Sequence, residues 1–424
     1  MNIGNKVKLI FIYGFVFLII ILSFLGCRFS SESSLENKIQ LAENSLPQSN
    51  RIITWEKKSI PEQMKHYGIP GVSIAVVENF KLLFARAYGV ENIEKNSSLT
   101  TETMFRAVGV SSQVSRFIAL NFVERGILNM QEDVNRNLLT WKIPDNQWTQ
   151  KQAVTLDSLL KFNTAGLNEF YMKSYSRESE VPSLYQILEG LPPAKTPAIR
   201  VVSEPGRYKR AGNLWVVSYV VLEQLLEDVA QKSFPRIASD LLFSPLDLKN
   251  TTFEQPLPER FWPQTSWGHQ KERSIHGAAE VYPTRAAMGL WSTPTDLAHI
   301  LIEMMKSYRG FSSLVASPDT VKQLINLDRP YFQWYSNGGG YYCFYAFNAR
   351  AGHGIVIMIN HDAGLDLRKE ITHSFFRSLN WRWGDFLLKD RMIYSGMIFA
   401  ALGFFLLIIL LGTVLFIRQS RRKL

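Results

Sequence analysis

Hydrophobic positions are distributed along this chain in three ways. At the two ends they run without interruption: Leu9 to Gly26 is eighteen residues without a charge, and Met392 to Ile417 is a second charge-free run of 26 residues. As a helix rising about 1.5 Å per residue the second run is roughly 39 Å long, enough to cross a hydrocarbon core of about 30 Å with some tilt. It predicts a transmembrane helix within residues 389–417. In the second pattern, short apolar stretches broken by polar turns predict strands, Gly71 to Val77 being rich in β-branched residues. Gly71 to Val77 and Lys81 to Tyr88 form one such hairpin, and Gly340 to Phe347 with Gly354 to Asn360 form another across Asn348 to Gly352. The third pattern has helical spacing. Val114, Phe117, Ile118, Phe122 and Val123 predict a helix over Ser111 to Arg125, closed by Gly126 and central because few of its positions are charged. Further helices are predicted at Leu214 to Val229, Thr295 to Lys306 and Leu365 to Leu379. Strands at both ends with a helical middle give an α/β fold of the α+β type: an antiparallel sheet built from both ends of the domain, with a helical subdomain inserted at about residues 110–330.

Composition alters this picture at the termini. With 424 residues, 46% hydrophobic and 20% charged, the chain is too apolar for a disordered tail and long enough to bury a sizeable core. The formal charge of +10 suggests a nucleic-acid partner until its location is considered. Six of the cations, Lys6, Lys8, Arg418, Arg421, Arg422 and Lys423, flank the two apolar runs, leaving an ordinary +4 for everything between. The charge therefore reports topology. By the positive-inside rule the tail 418–424 is cytoplasmic and the body lies outside, which predicts the inner membrane of a bacterium with the domain on its periplasmic or extracellular side. Residues 1–27 read as a signal peptide or lipoprotein-type anchor, because Ser23-Phe24-Leu25-Gly26-Cys27 resembles a bacterial lipobox, with Cys27 as the lipidation candidate; an uncleaved anchor stays open as the alternative. Residues 28–52, rich in Ser, Asn, Glu and Gln, read as a flexible tether, and 53–388 as one body without repeats. Trp381, Trp383 and Tyr394 fall where interfacial aromatics sit, with Trp381 equally placed to be a core residue. Two cysteines, Cys27 and Cys343, leave no disulfide scaffold or zinc ribbon.

The body carries specific motifs. Gly68-Ile69-Pro70-Gly71-Val72-Ser73-Ile74-Ala75-Val76-Val77, Ala87-Tyr88-Gly89-Val90, Thr103-Met104-Phe105-Arg106, Phe122-Val123-Glu124-Arg125-Gly126, Thr164-Ala165-Gly166-Leu167, Glu204-Pro205-Gly206 and Met288 to Ala298 occur in order across residues 53 to 380. They resemble the serine β-lactamase-related family, which includes class C β-lactamases, D-alanyl-D-alanine carboxypeptidases and esterases. The resemblance implies the sheet and inserted subdomain, and a site of three motifs: a serine with a lysine one helical turn on, a Tyr-x-Asn, and a Lys or His followed by x-Gly on a strand.

At those positions this chain differs. The nucleophile position is Gly109 and the lysine position Ser112; the Tyr-x-Asn position reads Ala211-Gly212-Asn213; and Asn337 stands in the basic position, with Gly339 two residues on. Glycine has no hydroxyl, and a serine is no base near neutral pH. Ser111, Ser112 and Ser115 are candidate replacement nucleophiles; the bland alternative is helix capping by Ser111 or Ser112 and a surface hydroxyl at Ser115. His353 reads as a solvated turn histidine. Backbone donors do not need side chains, so Gly109 with Gly339 and Gly340 remain candidate ligand donors, with Asn213 beside them and Arg207, Lys209 and Arg210 as a basic cluster for an anionic ligand. The apolar runs and their flanking charges, with the substituted motif positions, predict a membrane-anchored, externally facing pseudoenzyme, for which the resemblance implies peptide or cell-wall-like ligands. An active serine hydrolase with rearranged groups and a structural scaffold of a membrane complex are the alternatives. No cofactor, no metal and no nucleic-acid partner is expected.

Overall fold

The computed structural model describes residues 35–47, 57–161, 165–177, 179–207, 214–271, 273–324 and 331–381. Helices α1 (Leu35–Glu43) and α2 (Ile60–Tyr67) lead into strands β1 (Gly71–Glu78), β2 (Lys81–Asn92) and β3 (Ser97–Ser98). Strand β4 (Phe105–Arg106) opens onto helix α3 (Val110–Glu124), followed by α4 (Leu156–Leu160), β5 (Tyr175–Ser176), α5 (Leu184–Glu189), α6 (Leu214–Ala230) and α7 (Phe234–Ala238). The small strands β6 (Gly268–Gln270), β7 (Arg273–Ile275) and β8 (Glu280–Val281) precede α8 (Arg285–Met288), β9 (Trp291–Ser292), α9 (Pro294–Arg309) and α10 (Pro318–Lys322). The chain returns through β10 (Tyr331–Gly338), β11 (Tyr341–Asn348) and β12 (His353–Ile359) to α11 (Leu365–Ser378).

The main sheet is antiparallel and has the order β10-β11-β12-β1-β2-β3, so its first and last strands in sequence meet at the β12–β1 seam. This is the closure expected from strands at both ends of the domain. Local chemistry sets the element boundaries. Ser59 and Glu62 form a reciprocal capping box at the head of α2, and Gly68 ends that helix in the left-handed region. Thr293 caps α9 ahead of Pro294, and Gly310 closes it. Helix α3 is buried on every face from Val110 to Phe122, as its dearth of charges predicts.

Two expectations are corrected. The segment 28–52 is not wholly a tether: Leu35–Glu43 is a helix, Ile39, Ala42 and Leu46 are buried, and the Ser374 hydroxyl donates to the Ala42 carbonyl at 2.6 Å. Glu43 anchors it, accepting from Arg86 Nη1 at 2.6 Å and from the Tyr88 hydroxyl at 2.5 Å. His353 is not a solvated turn residue. It starts β12, its ring stacks on Trp381 at 4.8 Å, and burial lowers its affinity for a proton. Trp381 is itself 3% exposed and so belongs to the core. Among the described residues no helix is long and apolar enough to cross a membrane; both apolar runs, Cys27 and the basic tail lie outside the described residues.

Candidate functional site

Strand β4 pairs with β9 through Phe105↔Ser292 and Arg106↔Trp291, and the Ala107 amide donates to the Leu290 carbonyl at 2.9 Å. The pairing fixes the approach to α3. Val108 then takes φ +49°, a left-handed conformation that a buried β-branched residue adopts only under tertiary constraint. This reversal sets Gly109 as the N-cap of α3, with no side-chain cap. Among the described residues the Gly109 amide has no acceptor.

The three serines that follow are fully buried, and each hydroxyl proton is committed to a backbone carbonyl. Ser111 Oγ donates to Val108 O at 2.5 Å and accepts from the Leu290 amide at 3.1 Å. Ser112 Oγ donates to Gly109 O at 2.7 Å and accepts from Gln113 Nε2 at 3.1 Å. Ser115 Oγ shares its proton between Ser111 O at 2.9 Å and Ala286 O at 2.7 Å. Neither Ser111 nor Ser112 caps an amide at the helix head, and Ser115 is not a surface hydroxyl. All three bond backward to carbonyls, and Ser111 and Ser115 tie α3 to the segment Ala286–Leu290.

Strand β10 forms the facing wall at the edge of the sheet. A side chain on Gly338 would sit 3.5 Å from Val108 Cγ1, which puts the end of the strand against the head of α3. Gly338 pairs with Tyr341 across the two-residue turn Gly339-Gly340, where both glycines have positive φ as a type I′ turn requires. Such a closing pair is hydrogen-bonded, so the next residue back, Asn337, has its backbone N–H and C=O outside the ladder and directed off the sheet edge. The Asn337 side chain goes elsewhere. It pairs with Tyr342 and donates from Nδ2 to Asp362 O at 3.2 Å, on the face where Tyr342 meets Arg368. The expectation that Asn337 offers a side chain in the basic position is corrected: its side chain is on the face opposite Gly338 and Val108, and its amide is the part at the edge. Gly339 and Gly340 are occupied as turn residues. A Cβ on Gly339 would meet Tyr282 Oη at 3.1 Å and one on Gly340 would meet the His269 amide at 2.5 Å.

Arg207 is ion-paired with Glu204 at 3.1 Å and its side chain is 76% exposed, so it reads as a surface pair. Lys209, Arg210, Ala211 and Asn213 lie outside the described residues, immediately before α6. Among the described residues no cluster of three or more His, Cys, Asp or Glu side chains could hold a metal ion. Burial pushes the Cys343 thiol well above its usual range, which leaves it protonated and unreactive.

Two supports of the site escaped the sequence reading. Arg106, 2% exposed, lies between the rings of Tyr282 and Trp291, with its guanidinium carbon 4.4 and 4.8 Å from their centroids. Glu223 is fully buried on α6. It accepts from the Ala286 amide at 2.8 Å and from Arg285 Nη1 at 3.2 Å, fixing the segment whose Ala286 carbonyl receives Ser115. A carboxylate inside the apolar run Leu214–Ala230 was the available signal.

Burial pushes the Glu223 carboxyl up to about 7 against the pull of Arg285. The folded chain therefore keeps a proton there over a range in which an unfolded carboxyl, near 4.5, has released it. The stability this contributes is full below about pH 4.5 and is lost as the pH rises through 7, by about 3 kcal/mol. Glu227, raised in the same direction chiefly by burial, adds to the trend. Glu223→Gln keeps the shape and removes the titration. Denaturation between pH 5 and 8 is expected to show the wild-type chain losing stability relative to this variant; parallel curves would contradict the assignment.

Comparisons with known proteins agree with this geometry. The family model described as Beta-lactamase matches residues 57–374. Protein flp of Staphylococcus aureus (strain MW2) is 22% identical over 323 residues, covering 69% of this chain and 60% of that protein. The teichoic acid D-alanine hydrolase of Staphylococcus aureus is 24% identical over 252 residues, 58% of this chain and 57% of that one. The chain thus spans about 60% of the length of these curated relatives. Among solved structures, the octameric penicillin-binding protein homologue from Pyrococcus abyssi superimposes with a TM-score of 0.58 at 17% identity, over 76% of both chains. The D-alanine carboxypeptidase AmpC from Burkholderia cenocepacia gives 0.56 at 17% identity, over 75% of this chain and 96% of that one. At such identity these two establish the fold alone.

Proposed function

The chain belongs to the beta-lactamase family, and we propose that it is a membrane-anchored, externally facing member that binds a peptide or cell-wall-like ligand at the head of α3 without forming an acyl intermediate. The observation that carries this reading is the state of the α3 head: a glycine at its first position, and three buried serines whose protons are held by carbonyls. Such hydroxyls are neither exposed nor aimed at a base, so covalent chemistry has no starting atom. Recognition needs less. The N-terminus of this fifteen-residue helix, with a free amide at Gly109, and the outward amide of Asn337 on the strand whose end packs against Val108 supply backbone donors for a carbonyl or carboxylate oxygen. Two of the proteins this chain resembles are named for D-alanine chemistry, which suggests D-alanine-terminated peptides as the first ligands to try.

Calorimetric titration of the full-length protein in detergent is the test. A peptide ending in D-alanyl-D-alanine is expected to bind, and its L,L isomer to bind at least tenfold more weakly, with no free D-alanine produced overnight. Release of D-alanine would support the rival active hydrolase. Failure to bind either isomer would remove the recognition reading in favour of a scaffold.

A further inference from the structure

The end of the sheet opposite the candidate site carries a surface of its own. Strand β11 starts at Tyr341, beside the Gly339-Gly340 turn, and finishes at Asn348, so at about 3.3 Å per residue its ends are roughly 23 Å apart. At the far end β1 turns into β2 through Asn79 and Phe80, β11 turns into β12, and α9 terminates at Arg309. These pieces form one contiguous surface. Phe80 packs edge-on against Phe311 with centroids 5.2 Å apart and donates its amide to Gly352 O at 2.9 Å. Arg309 lies 5.1 Å over the Phe311 ring and donates to Arg350 O at 2.7 Å. Phe311 nevertheless stays 60% exposed and Leu314 36% exposed.

The charge of this surface is positive. Lys81, Arg309 and Arg350 are exposed around the aromatic pair. The acids nearby are engaged: half-buried Glu78 accepts from the Trp381 indole at 3.4 Å, buried Glu303 accepts from Ser307 and Ser312, and exposed Asp319, next to Pro318 at Gly310, lies 3.9 Å from Lys322. An exposed phenylalanine ringed by long cationic side chains is the combination that favours an anionic lipid interface, where the ring enters the headgroup layer and the cations meet phosphates.

Chain length points the same way. Trp381 stacks on His353 at this end, and only ten residues, 382–391, separate it from the apolar run that begins at Met392. Fully extended, ten residues reach at most about 35 Å. A domain of this size is about 50 Å across, so the end bearing Trp381 faces the bilayer.

We propose that the surface built from Phe80, Lys81, Arg309, Phe311 and Arg350 rests on anionic lipid headgroups, so that β11 holds the Gly339-Gly340 turn, and with it the head of α3, roughly 23 Å above the bilayer. This rests on the membrane-anchored reading above and adds to it the orientation of the domain.

The test uses the full chain in single-copy lipid nanodiscs, with Cys27→Ser to remove the second reactive cysteine and Phe311→Cys to carry a bimane label. Headgroup-level spin-labelled lipid is expected to quench this label at least threefold more than a label at Leu139→Cys, an exposed position of the helical subdomain. The excess is expected to fall to near unity in zwitterionic discs and in a Lys81→Glu/Arg350→Glu background that melts normally. Equal quenching at the two positions overturns the docking, and quenching that ignores lipid charge overturns its electrostatic basis. Carbonate extraction of native membranes reads the anchor separately. A chain released by carbonate removes the premise and the proposal together, whereas a retained chain with an unquenched label at position 311 overturns the docking alone.

Discussion

Incubated with a fluorescent penicillin or a fluorophosphonate, the full-length protein is expected to carry no covalent label, and its intact mass to stay unchanged. A missing nucleophile or base lowers turnover in such sites by about 10⁴ to 10⁶, and because the groups act as a unit the losses do not simply multiply. The alternative nucleophiles are disarmed by their bonds. For Ser112 to attack, its proton must leave Gly109 O, 2.7 Å away, and its oxygen must leave a fully buried position. Labelling that disappears in Ser111→Ala or Ser112→Ala would overturn this account. Repair gives the converse test. Gly109→Ser with Ser112→Lys places a hydroxyl and an amine one helical turn apart and is expected to restore slow acylation, limited by the cost of desolvating a lysine where Ser112 is 0% exposed. Adding Asn337→His is expected to contribute nothing, because that side chain is directed to Asp362 across the sheet from Val108. A large gain from Asn337→His would show that this side chain reaches the head of α3 and not Asp362.

The register of β10 illustrates where reading the sequence stops. The fold was legible because its signals are local. Runs of β-branched or aromatic residues gave β1, β11 and β12 nearly to the residue; helical periodicity gave α3, α6, α9 and α11; and the glycine at the head of α3 followed from the flanking Phe105-Arg106 and Glu124-Arg125-Gly126. The faces of β10 were not legible. Phe332, Trp334 and Tyr335 put aromatic residues on both sides of the strand, so alternation is absent, and a shift of one residue exchanges the faces. Sequence spacing located Asn337 near the turn but could not say that its amide, not its carboxamide, lies at the edge.

Helix α1 was missed for a different reason. Its apolar face is only Ile39, Ala42 and the adjoining Leu46, and what holds it is Glu43, whose partners Arg86 and Tyr88 are more than forty residues away. A carboxylate in a Ser- and Asn-rich stretch reads as solvated until its distant cation is known. The same holds for the serines of α3: three hydroxyls in five residues suggest a polar face, whereas each is buried because a carbonyl of the preceding turn or of Ala286 receives it.

Arg106→Ala is expected to lower the stability of the domain by about 3–5 kcal/mol, the largest effect foreseen for a single change. The guanidinium fills the space between two rings, and cation–π contacts in such a desolvated setting contribute about 2 kcal/mol or more. Its Nη2 donates to Gly277 O at 3.1 Å and to Glu280 O at 2.8 Å, so truncation leaves two carbonyls without that donor and a void beside Trp291, which is itself 0% exposed. Lysine is not expected to rescue the loss, because an ammonium cannot lie flat between rings or donate as a planar fork. Methionine is expected to recover part of it by filling the volume without a buried charge, since Arg106 Nε and Nη1 are buried without hydrogen-bond partners among the described residues and their desolvation offsets some of what the cation contributes. The effect should reach the site through Tyr282, whose hydroxyl oxygen lies 3.1 Å from where a Cβ on Gly339 would be, and through Tyr341, whose ring meets Trp291 at 5.7 Å and whose hydroxyl donates to Ser266 O at 2.7 Å. Loosening these releases the turn that orients Asn337, so the surviving folded fraction of Arg106→Ala is expected to bind D-alanyl-D-alanine peptide at least tenfold more weakly. Urea denaturation and calorimetry on the alanine, lysine and methionine variants separate the two effects. An alanine variant within about 1 kcal/mol of wild type would show that the ring-guanidinium stack is not a support of the fold.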